Sequence, residues 1–151
     1  MAEKANPIPS SDEKLFAMLS HFSIFLGGII LPIIFWAIKK DQSQFVRFHS
    51  LQSIFFHIAY FVLIMVFVVI VMIIAIFGAG LSAVTLDSGG SNAAPPMIML
   101  IFMGIFYLGL FAVIFGAIGY GIYGGIKSYQ GELFMYPVIG KKVYEKVYGG
   151  R

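Results

Sequence analysis

Three histidines, His21, His49 and His57, stand among long apolar runs, and each imidazole could in principle bind a metal, relay a proton or simply hydrogen-bond. His49 and His57 are eight residues apart, which on a straight helix is roughly 12 Å, too far to share one ion. His21 would have to arrive from a different segment, and no carboxylate lies inside any apolar run to complete a site. Neither a metal nor a cofactor is expected. His49 and His57 instead belong to a stripe with Gln52, Ser53 and Tyr60, spaced i, i+3, i+4, i+8 and i+11, which is one helical face. Polar groups at membrane depth face protein or a water-filled cavity. The stripe is therefore either a pathway or contact face for a passing or partner segment, or glue between neighbouring helices.

Catalytic signatures are missing from the sequence. It has no paired carboxylates within an apolar run, no Gly-x-Ser-x-Gly, no His-Glu-x-x-His and no phosphate-binding loop ending in Lys-Ser/Thr. With no cysteine there is no thiolate nucleophile and no disulfide framework. A non-enzymatic protein is expected.

The elements that carry the stripe are set by composition. Of 151 residues, 60% are hydrophobic and only 11% charged, too few to solvate a globular surface that would ordinarily carry about 25%. An all-α integral membrane protein follows, with the lipid bilayer as its first partner. The net charge of +3 is too small and too clustered at segment ends to suggest nucleic acid. No signal peptide is expected, because the leader mixes Glu3, Asp12 and Glu13 with Lys4 and Lys14.

The order along the chain is a flexible tail (1–11), a transmembrane domain (12–137) and an amphipathic interfacial tail (138–151). Three spans are expected, at about 15–38, 54–77 and 97–126. Ser10 and Glu13 match a capping box and start the first helix. That first span is kinked, or alternatively re-entrant, at Gly27-Gly28 and Pro32. Phe45–Phe77 as one helix is roughly 50 Å long, well beyond a bilayer core. The stretch 78–96 reads as a Gly/Ser/Ala/Pro linker. After Pro137 a short helix should lie in the interface, with Val138, Ile139, Val143 and Val147 on one side and lysines on the other.

Lys39, Lys40 and Arg47 near the first loop, and Lys141 and Lys142 near the C-terminus, fit lipid headgroups or loop contacts. Arg47 has a sharper alternative, pairing with Asp41 to fix the return between segments. The linker 78–96 has no Lys or Arg, so the first loop and C-terminus are expected in the cytoplasm of a prokaryotic plasma membrane. Three spans put the N-terminus outside; a re-entrant first segment puts it inside. Gly109, Gly116, Gly121 and Gly125 give the last apolar segment close-approach faces for packing within the chain or against a second copy.

The run Phe45-Val46-Arg47-Phe48-His49-Ser50-Leu51-Gln52-Ser53-Ile54 resembles the signature of the Tic-twenty-kilodalton-like family, typified by a chloroplast inner-envelope import subunit. Ile33–Asp41 and the Ser128-Tyr129-Gln130-Gly131-Glu132 and Tyr136-Pro137 pieces resemble its short prokaryotic relatives. His49 stands where that family has Asn, and the first segment is one compact stretch where the plastid proteins have two spans. The resemblance implies a subunit of a membrane assembly, homo-oligomeric or heteromeric, with protein translocation as its extension. The residues leave two other readings beside it: a small oligomeric channel or transporter lined by the stripe, and a lipid-interface structural protein.

Overall fold

The computed structural model describes residues 8–26, 28–86 and 97–149, and among these it is all helical, without strand. Five α-helices follow in order: α1 (Ser11–Phe22), α2 (Ile30–Lys39), α3 (Gln44–Leu86), α4 (Met97–Tyr129) and α5 (Ile139–Tyr148). A single 3-10 turn, Ser23–Phe25, follows α1.

The start of α1 is a complete capping box. Ser10 N donates to Glu13 Oε2 at 2.7 Å, and Glu13 N donates back to Ser10 Oγ at 3.3 Å. Two amides that the helix cannot use internally are thereby satisfied. At the other end Leu26 N and Gly28 N both donate to Ser23 O, at 2.9 and 2.7 Å. Gly28 takes φ +62°, a left-handed conformation that costs a residue without Cβ little, and the chain turns back there. Pro32 falls in the first turn of α2, where its missing N–H would have had no partner. Phe16 and Phe35 then meet edge to face at 5.1 Å, and Lys39 Nζ lies 5.5 Å from the Phe16 ring centre. These contacts make α1 and α2 an antiparallel hairpin.

That hairpin corrects the expected three spans. With 12 and 10 residues, α1 and α2 extend only roughly 18 and 15 Å, short of a bilayer core of about 30 Å. The hairpin follows the re-entrant alternative for 15–38 and not the single kinked span; hydropathy alone does not separate the two, and the glycines and Pro32 carry the signal. Gly27, half of the proposed break point, lies outside the described residues. Two helices are long and apolar enough to cross a membrane, over Gln44–Gly78 and Leu100–Tyr129, and the protein is a multi-pass membrane protein. A second difference lies in 78–86, expected as loop: α3 continues through it to Leu86. Its Gly, Ala, Ser and Leu residues contain no proline to stop a helix already propagating. The rest of the expected linker, 87–96, is outside the described residues.

The chain forms two compact units, Met1–Tyr60 with Ala117–Arg151, and Phe61–Gly116. In the second, the Phe67 and Phe106 rings meet at 4.1 Å between centres with planes tilted by 43°, and most side chains are exposed, as lipid-facing groups are. A Cβ on Gly109 would lie 3.1 Å from Phe67 Cζ. The first unit holds the buried core. There Phe48 and Leu51 of α3 pack against Val143 and Val147 of α5, with Trp36 and Leu133 at the margin. The i, i+4 valines of α5 thus cover protein, while Lys141, Lys142 and Lys146 on its other face are exposed.

Candidate functional site

The first unit buries a polar network in place of an all-apolar core. Its hub is His21, at the end of α1, whose side chain is 1% exposed. His21 Nδ1 hydrogen-bonds Tyr136 Oη at 2.9 Å and Ser53 Oγ at 3.1 Å, and its Nε2 meets His49 Nδ1 at 3.1 Å. Both imidazoles cannot carry a proton at the facing nitrogens, so one ring donates and the other accepts. His49 Nδ1 also lies 3.0 Å from Ser128 Oγ, which itself donates to Gly124 O at 2.7 Å. The network therefore joins α1, α3, α4 and the 130–138 segment through side chains alone.

Two further strands of hydrogen bonding tighten it. Ser20 Oγ donates to Phe16 O at 2.8 Å, so Ser50 supplies the proton for the 3.0 Å contact between the two hydroxyls. Gln52 uses both ends of its amide on the 130–138 segment: Nε2 donates to Phe134 O, and Tyr136 N donates to Oε1, each at 2.9 Å. The Tyr136 ring stacks on Phe56 at 4.4 Å with planes 6° apart. Burial raises the Tyr136 phenol pKa, with Tyr120 adding to the effect, so the hydroxyl stays protonated as a donor.

Small residues let the helices come this close. A Cβ on Gly125 would lie 2.5 Å from Phe22 Cε1, and one on Gly121 would lie 3.7 Å from His21 O. Glycine at Gly125 is what admits the end of α1, while a Cβ at Gly121 would make ordinary contact. Gly116 has nothing within 4 Å of that point.

The stripe residues fare differently. His49, Gln52 and Ser53 are fully buried in the network. His57 Nδ1 donates to Ser53 O at 2.6 Å, while its Nε2 reaches Ser23 Oγ only at 3.5 Å. Tyr60 is half-buried and stands outside the network. Among the loop cations, Lys39 Nζ donates to Gln42 Oε1 at 3.0 Å and Lys40 Nζ lies 5.4 Å from the Trp36 ring centre. Arg47 and Asp41 form no ion pair among the described residues, where the ion pair is Lys127–Glu132 at 3.0 Å. Buried Arg47 Nε, Trp36 Nε1 and His49 Nε2 lack hydrogen-bond partners there. No group of three or more His, Cys, Asp or Glu among the described residues could hold a metal ion. The three histidines bond serines, a tyrosine, a carbonyl and each other, with His49 Nε2 the ring nitrogen left over among the described residues.

Sequence reasoning placed the stripe but missed its partners Ser20, Ser50, Ser128 and Tyr136. One signal pointed to them: Ser20-His21 with Ser23 on α1, and Ser128 beside glycines on α4, are polar groups on otherwise apolar faces.

The whole of this site falls within a family match. Residues 12–143 match the magnetosome magnetite crystal formation protein family. The chain belongs to this family. No curated protein and no solved structure matches it. The match overturns the resemblance to the Tic-like translocon family, and with it the expectation of protein translocation. The ten-residue run that suggested it has a local physical cause. Val46, Phe48, His49, Ser50, Gln52 and Ser53 are all buried, so the run records how α3 begins against its neighbours. That packing requirement says nothing about a passing polypeptide.

Proposed function

We propose that this membrane protein acts in magnetosome magnetite crystal formation as a non-enzymatic, lipid-interface structural component. The observation that carries this reading is the buried serine–histidine network. The polar side chains of α3 that could have lined a path are turned onto α1, α4 and the 130–138 segment of the same chain. Such a network fixes a scaffold, and a scaffold presents surfaces: apolar flanks to lipid and the exposed lysines of α5 to the interface.

The chain crosses twice, over the two long helices, while the α1–α2 hairpin enters and leaves on one side. Lys39, Lys40, Arg47, Lys141 and Lys142 then serve headgroup contact on the cytoplasmic side. Self-association or docking to a partner complex uses the exposed apolar faces of α3 and α4.

The test is replacement of the gene in a cell that forms magnetosome magnetite crystals. Deletion is expected to change crystal size or shape, and a variant with Gly116→Ala to restore them. A variant carrying both His21→Ala and Ser53→Ala, which breaks the scaffold, is expected not to. Unchanged crystals after deletion would contradict the proposal.

A further inference from the structure

A cavity of about 600 Å³ opens at the polar end of the first unit, a size in the range of small-molecule and headgroup sites. It is walled by the start of α1, the turn between α2 and α3, and the 130–133 segment. Its charged residues are Glu13, Lys14, Lys40 and Asp41, two of each sign. Among the described residues Lys14, Lys40 and Asp41 form no ion pair, so these charges are not spent on each other. Lys14 lies along Gly131, whose φ of +86° and missing Cβ leave its Cε and Nζ room. Phe45 and Leu133 add apolar wall, and Ile8 at the mouth is 90% exposed.

A bare anion would meet the carboxylates and a bare cation the lysines. A ligand carrying both charges satisfies the set. Position narrows the source, because Lys40, which caps the apolar α2, lines the cavity, and lysines that end apolar segments meet the phosphates of a bilayer.

We propose that this cavity binds the zwitterionic headgroup of a phospholipid, its phosphate taken by Lys14 and Lys40 and its ammonium by Asp41 and Glu13. The assignment rests on the lipid-interface reading above and deepens it by naming the lipid class. It makes the cavity a selective site in contrast to the α5 lysine face, which attracts any anionic surface.

The experiment is native mass spectrometry of the full chain released from nanodiscs holding equal phosphatidylethanolamine and phosphatidylglycerol. The expected result is retention of phosphatidylethanolamine over phosphatidylglycerol by about threefold or more. Lys14→Ala should abolish that preference, and Asp41→Asn should reverse it toward phosphatidylglycerol. Either variant decides alone if the other fails to fold, as judged by its thermal unfolding. Equal retention of the two lipids, or a preference unchanged in both variants, would overturn the proposal. Displacement of the bound lipid by equimolar soluble phosphoethanolamine would overturn the lipid as occupant. Crystal phenotype is read separately, so loss of lipid preference with intact crystal control counts against the site alone.

Discussion

Removing the His21 imidazole strands two buried groups at once, Tyr136 Oη and Ser53 Oγ, while His49 Nδ1 keeps Ser128 Oγ. A buried polar group without a partner costs about 1–3 kcal/mol. His21→Ala should therefore lower stability by about 2–4 kcal/mol, after partial relaxation. His57→Ala should cost less, about 1 kcal/mol, since that ring holds one short bond to Ser53 O and one long contact. Thermal unfolding of both variants in the same detergent checks the ranking, and equal losses would contradict it. Phenols set an alkaline limit at this scale. Burial, with Tyr144 and Glu13 adding, pushes Tyr148 up to about 12, and burial raises Tyr136 as well. A phenol raised in the folded state contributes stability that is whole below its ordinary value of 10.0 and lost as pH rises through the folded one. Unfolding temperature should thus fall between about pH 10 and pH 12, and Tyr148→Phe should flatten part of that fall. At the acid end the Ser43 hydrogen bond, the largest cause, holds Glu13 below its ordinary 4.5. Its contribution is whole above that value and is lost as pH drops through the lowered one.

At the scale of elements, the approach of α1 to α4 depends on which glycine is changed. Gly125→Ala places a methyl 2.5 Å from the Phe22 ring and 3.4 Å from Met18 O, so ring or helix must shift. A loss of about 1–3 kcal/mol is expected, as for other overpacked sites. Gly116→Ala meets nothing within 4 Å and should gain about 0.5–1 kcal/mol from improved helix propensity. Opposite signs in matched unfolding experiments are the expected outcome. Much of this element level could be read in advance. Ser10 and Glu13 announced the start of α1, and the spacing of His49, Gln52 and Ser53 put them on one α3 face; of the valines after Pro137, Val143 and Val147 are buried on α5, whereas Val138 precedes the helix and is exposed. Their partners could not be read. Tyr136 lies 115 residues from the ring it bonds, and no local pattern encodes a contact at that separation. The α1–α2 reversal stands in the sequence only as the alternative to one kinked span, since hydropathy does not separate the two. The ten-residue run misled about kinship because a tightly packed helix start constrains residue types whatever the protein does.

For the whole molecule, the network, the glycines and the hairpin converge on one statement. The end of α1 is held by His21, Ser20 and Ser23 against α3 and meets α4 at Gly125, so α1 and α2 fold back onto the chain as a hairpin. The two crossings proposed above would leave both termini on one side. Under the proposed topology, the lysines of the α2–α3 turn and of α5 assign that side to the cytoplasm. The chain has no cysteine, so one introduced thiol reports on one place. The most direct measurement is labelling of single-cysteine variants at Ala2, Ser88 and Arg151 with a membrane-impermeant maleimide in intact cells, then in permeabilised ones. The account predicts that residue 88 labels in intact cells, while residues 2 and 151 label only after permeabilisation. Labelling of residue 2 in intact cells, with residue 151 still protected, would mean a third crossing and contradict it.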